Sequence, residues 1–179
     1  SLFVDASEGN DSAGIGGGNG GIAGNITIID GLINTYGGIC GGGIGSGNHG
    51  KVGNITISGG TVTAKAGASA AGIGQGDGGS CVGVQITGGS VKAMDNEGNV
   101  DSISPTPTSD GTNRVYLVTL PDQSNVKEVT VSKYTVKETT VDEETGTNWG
   151  ISSNHPDDTS LYLYFPEQHH KIIVNSTAS

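Results

Sequence analysis

Apolar residues in the first half of the chain recur in a short, fixed pattern. Ile26 and Ile28 flank Thr27, Ile55 and Ile57 flank Thr56, and Val84 and Ile86 flank Gln85. An apolar step of two is the period of a strand with one face buried and the other, here Thr27, Thr56 and Gln85, in water. Ile15, Ile44 and Ile73 precede these pairs, and Ile33, Val62 and Val91 follow them. Every set advances by 29 residues, with no insertion or deletion between copies. A fixed period of this length predicts a stacked solenoid in which like positions lie over like positions.

The polar and glycine positions between these residues predict how each coil turns. Ala13-Gly-Ile-Gly-Gly-Gly-Asn-Gly-Gly opens the first copy, Gly42-Gly-Ile-Gly-Ser-Gly-Asn-His-Gly the second and Ala71-Gly-Ile-Gly-Gln-Gly-Asp-Gly-Gly the third. Asp30-Gly31, Gly59-Gly60 and Gly88-Gly89 follow the strand pairs and read as turns. Thirty of the 33 glycines precede residue 100, which makes helices improbable there. The fold expected is all-β: a parallel β-helix of three 29-residue coils over residues 1–100, with four aliphatic columns inside. Residues 1–12 read as a partial coil in which Leu2, Phe3, Val4 and Ala6 cover the first full turn.

After residue 100 the alphabet changes. Residues 101–112 are polar and contain Ser104-Pro-Thr-Pro, which reads as a stiff linker. Runs rich in β-branched and aromatic residues at 114–120, 126–131, 134–141, 161–165 and 171–174 predict a small antiparallel, sandwich-like β domain over 113–179. That domain is placed to pack over the last coil and shield its open edge.

Composition narrows the function classes. A formal net charge of −10 with eight basic residues disfavours nucleic acid and anionic membrane surfaces as partners. No apolar run reaches spanning length, so membrane insertion is not expected. Cys81 falls on Val52 and Ala23, an inward position, and Cys40 falls between Asp11 and Ser69 near a corner. Two unpaired thiols fit these unequal positions; a disulfide across one coil is the alternative. Asn25-Ile-Thr, Asn54-Ile-Thr and Asn175-Ser-Thr match the short glycosylation pattern, which has meaning only in a host that glycosylates.

Candidate binding residues are Asn19, Asn48 and Asp77, which coincide in the three copies, and Trp149, the single tryptophan. A line of amides and a carboxylate suits sugar hydroxyls or a cation, while the plainer alternative is that stacked amides bond to one another along the axis. Trp149 offers a ring that stacks on a sugar face, or else a core residue. His169-His170 sits at a strand start, where adjacent side chains point to opposite faces, so a solvated turn is expected rather than a metal site. The acids do not recur at a spacing that sets two carboxylates side by side, and no catalytic residue, metal site or cofactor is expected.

The phrases around Ile15, Gly53-Asn-Ile-Thr-Ile-Ser-Gly-Gly-Thr-Val-Thr-Ala and Ala71-Gly-Ile-Gly-Gln-Gly resemble the glycine-rich β-helical repeats of large surface proteins from gut and other Gram-positive bacteria. Ser160-Leu-Tyr-Leu-Tyr-Phe-Pro-Glu-Gln-His-His-Lys-Ile-Ile-Val is similar to the closing strands of β-modules that follow such repeats. The third copy departs at Val82-Gly83-Val84-Gln85, where Gly-Asn-Ile-Thr is the pattern. The resemblance implies a secreted or surface-attached, non-catalytic module flanked by further domains of the same polypeptide. It implies adhesion or carbohydrate binding, with a polysaccharide or host glycan as partner. A spacer without ligand and a fragment of a polysaccharide-active enzyme are the alternatives.

Overall fold

The computed structural model describes residues 1–123, 126–132, 134–137, 140–143, 147–151, 160–166 and 171–176, and every regular element among them is a strand. Leu2–Asp5 (β1) precedes a first full coil made of Ile15–Gly16 (β2), Ile22–Ala23 (β3), Ile26–Ile28 (β4) and Leu32–Tyr36 (β5). The second coil is Ile44–Gly45 (β6), Lys51–Ile57 (β7) and Thr61–Lys65 (β8), and the third is Ile73–Gly74 (β9), Ser80–Ile86 (β10) and Ser90–Met94 (β11). Ile103–Ser104 (β12) follows.

Equivalent strands pair in parallel and wrap three sheets around one interior. The first runs β2-β6-β9-β12, the second joins β3 and β4 to β7 and β7 to β10, and the third runs β1-β5-β8-β11. The register stacks Ile15 on Ile44 on Ile73, Ile26 on Ile55 on Val84, Ile28 on Ile57 on Ile86, and Ile33 on Val62 on Val91. In the second and third coils these side chains are all but fully buried. Each contributes roughly 1.5–3 kcal/mol on leaving water, so the columns outweigh any single polar contact.

Glycine sets how closely the coils approach. Gly16, Gly45 and Gly74 have φ of 135°, 147° and 120°. A Cβ at each would overlap the carbonyl of the residue stacked on it, Gly45, Gly74 and Ser104 in turn. The turns expected after the strand pairs also use positive φ, at Gly31, Gly60 and Gly89.

Residues 1–12 cover less than expected. β1 extends only the third sheet, pairing Leu2 with Ile33, and Leu2 and Phe3 stay 48% and 64% exposed. Ile15 and Ile26 are accordingly only partly buried.

Part of the stretch expected as a linker is laid down as a further partial coil. Ile103 stacks on Ile73, and Thr108 exchanges backbone hydrogen bonds with Val84 (2.9 Å) and Ile86 (2.9 Å). Asp110 then closes a turn by accepting from the amides of Thr112 (2.8 Å) and Asn113 (2.7 Å).

Beyond it lie Tyr116–Leu120 (β13), Val126–Ser132 (β14), Tyr134–Lys137 (β15), Thr140–Glu143 (β16), Thr147–Gly150 (β17), Leu161–Phe165 (β18) and Lys171–Ser176 (β19). They form small antiparallel sheets, β13-β18, β17-β14-β19 and β15-β16. β18 lies against β11. The Tyr162 amide donates to Ser90 Oγ (3.0 Å), the Lys92 ammonium sits 5.1 Å from the Tyr162 ring centre, and the Tyr164 hydroxyl donates to Asp101 (2.8 Å). Leu161, Leu163, Tyr164 and Phe165 join the solenoid's apolar interior in one continuous cluster.

Candidate functional site

Asn19, Asn48 and Asp77 line one corner of the solenoid, but they do not simply stack on one another. Asn19 Nδ2 donates to Asp11 Oδ2 (3.1 Å) and Asn48 Nδ2 to Asp11 Oδ1 (3.2 Å). Asp11 therefore ties two coils together with its side chain, and its carbonyl accepts from the Asn48 amide (2.9 Å). The amide of Asp77 in turn donates to the Cys40 carbonyl (3.0 Å). Asn25 Oδ1 accepts from the backbone N–H of Asn54, one coil on (2.9 Å). Much of this corner's hydrogen-bonding capacity is thus spent on holding coils in register, though Asn48 Oδ1 is buried without a partner.

The two cysteines are free. Burial, then the nearby carboxylates of Asp11 and Asp77, push the Cys40 thiol up from its ordinary range, so it is a poor nucleophile. Burial does the same to Cys81, whose Sγ lies 3.5 Å from the Gly83 carbonyl and 3.6 Å from that of Gly53. Among the described residues no group of three or more His, Cys, Asp and Glu is arranged to hold a metal ion, and no helix is long and apolar enough to cross a membrane. Trp149 lies in β17, its backbone opposite Val129; its side chain, like His169 and His170, lies outside what is described.

A different face carries the aromatic chemistry of the solenoid. In the third sheet Ile33, Thr35, Val62, Ala64, Val91 and Ala93 point inward and are buried. The alternate positions, Phe3 and Asp5, Asn34 and Tyr36, Thr63 and Lys65, Lys92 and Met94, therefore point outward. Phe3 and Tyr36 are the only aromatic residues in residues 1–104, and Lys65 and Lys92 are two of the three lysines there. The Phe3 and Tyr36 rings are 5.8 Å apart and inclined at 57°. At the corner beyond Tyr36 a groove of about 190 Å³ runs past Ser7, Tyr36, Ile39, Lys65 and Asn96.

Sequence reasoning missed this face. β1 joins the array outside the 29-residue register, so nothing in the repeat sets Phe3 beside Tyr36. The alternation of β5, Leu32-Ile-Asn-Thr-Tyr, was the available signal, but its second inward residue is Thr35, which does not read as core. Thr35 is fully buried because its hydroxyl donates to the Gly43 carbonyl (2.8 Å).

No protein family, characterised protein or solved structure matches the chain. The class defined by its geometry is a parallel β-solenoid of 29-residue coils with small antiparallel sheets at its C-terminal end.

Proposed function

We propose that the chain is a non-catalytic, carbohydrate-binding module of a secreted or surface-attached protein. The observation that carries this reading is the outward pair of Phe3, 64% exposed, and Tyr36, half-buried beside it, since outward apolar ring faces suit the C–H faces of sugars. They stand on the four-stranded sheet β1-β5-β8-β11, and a backbone ordered before binding lowers the ordering entropy of binding. The internally bonded corner of Asp11, Asn19 and Asn48 favours a second reading, a spacer whose polar residues serve only stacking. A glycan array separates the two: the binding reading expects signal from a defined set of glycans, and a spacer gives none. Incubation with plant and mucin polysaccharides should release no reducing sugar; release would revive an enzymatic role.

A further inference from the structure

Resting on the carbohydrate-binding reading, we infer that the subsite is the corner groove past Tyr36, and that its ligand is an uncharged oligosaccharide. The groove takes one side chain from each successive level of the solenoid: Ser7 after β1, Tyr36 in the first coil, Lys65 in the second and Asn96 after the third. It therefore runs along the axis over three rung spacings, roughly 14 Å, a span for several linked sugars rather than one.

The lining has the mixture a sugar needs. Tyr36 gives a ring face, with Phe3 against it outside the lining, and half-exposed Ile39 extends the apolar wall. Among the described residues the Lys65 ammonium, the Asn96 amide and the Tyr36 hydroxyl make no hydrogen bond or ion pair, which leaves their donors for ligand hydroxyls. The Ser7 hydroxyl donates to Asp5 (2.6 Å) and keeps its lone pairs for a ligand donor.

Charge selects against acidic glycans. Asp5 stands in the column of Tyr36 and Lys65, and Asp95 and Glu97 flank Asn96. Hydrogen bonds from Ser7 hold the Asp5 carboxyl below its usual range, and those from Asn99 do the same for Asp95, so both stay ionised at neutral pH. Asp5, Asp95 and Glu97 each lie within two residues of a lining residue, and with the chain's net charge of −10 they weigh against a uronate or sulfated chain despite Lys65 in the lining.

The test is calorimetric titration of the whole chain with cello-, manno-, xylo- and chitohexaose beside hexagalacturonate. Binding of at least one neutral probe, lowered tenfold or more by Tyr36→Ala and by Asn96→Ala, less by Tyr36→Phe, which keeps the ring and loses only the hydroxyl, and unchanged in Asn19→Ala, is the expected result. Unchanged melting temperatures in Asn96→Ala, whose side chain is exposed, separate lost binding from lost folding. Binding that survives both alanine variants overturns the subsite alone, and tighter binding of hexagalacturonate overturns the ligand class. No binding of any probe by the unaltered chain overturns the carbohydrate-binding reading itself.

Discussion

The carbonyl of Gly74 occupies the space that a Cβ on Gly45 would fill, and the same relation links Gly16 to Gly45 below it. Coil spacing is thus set by residues that have no side chain, while the aliphatic columns supply the attraction. Gly45→Val should combine steric overlap with a φ of 147° that branched residues avoid, lowering stability by roughly 3–5 kcal/mol. Thr56→Val, on the outward face of β7, should change it by less than about 0.5 kcal/mol. Chemical denaturation of both variants checks the contrast; equal effects would contradict it.

Ser46 is fully buried and its Oγ accepts from the Gly76 amide (2.9 Å) in the next coil. Ser46→Ala leaves that amide without a partner in a place water does not reach. A loss of about 1–3 kcal/mol is expected in the same denaturation experiment.

At the corner occupied by Gly20 and Gly78, with φ of 64° and 60°, the second coil places His49 with φ of 50°. A non-glycine residue in this conformation is strained, and a β-branched one more so. His49→Gly should leave stability unchanged or raise it by up to about 1 kcal/mol, while His49→Val should lower it by at least about 1 kcal/mol. A melting temperature at or above that of the unaltered protein for His49→Gly and below it for His49→Val would bear this out; a lower one for His49→Gly would contradict it.

Stability from the Tyr164–Asp101 contact is predicted to fall in alkali. Burial, then the neighbouring Asp101 carboxylate, raises the Tyr164 hydroxyl well above its ordinary value of 10.0. The folded state therefore holds a proton that the unfolded state releases above about pH 10, and stability from this group, full below that pH, declines as pH rises past it. Unfolding measured at pH 8 and pH 11 should show a larger loss in the unaltered chain than in Tyr164→Phe. Equal losses would mean that the hydroxyl is not held as described.

Much of this architecture is legible in the sequence because stacking demands repetition. Ile15, Ile44 and Ile73 stack in one column, so they share one residue type and one period. Where the environment ceases to repeat, the signal fades. Ile103 continues the same column, but the step to it is one residue longer, and the prolines around it suggest a linker. Asp11 escapes notice as the partner of Asn19 and Asn48 because its equivalents are Cys40 and Ser69, so comparison of copies says nothing about it. Phe3 and Tyr36 meet through a strand outside the repeat, a contact that periodicity does not encode.

Stacking in 29-residue register is tested most directly by methyl–methyl nuclear Overhauser effects in protein with labelled isoleucine methyls. Ile44 should show cross-peaks to both Ile15 and Ile73, one rung spacing of roughly 4.8 Å away on either side, and Ile57 to both Ile28 and Ile86. Well-resolved spectra in which Ile44 contacts neither isoleucine would contradict the solenoid and everything placed on its faces.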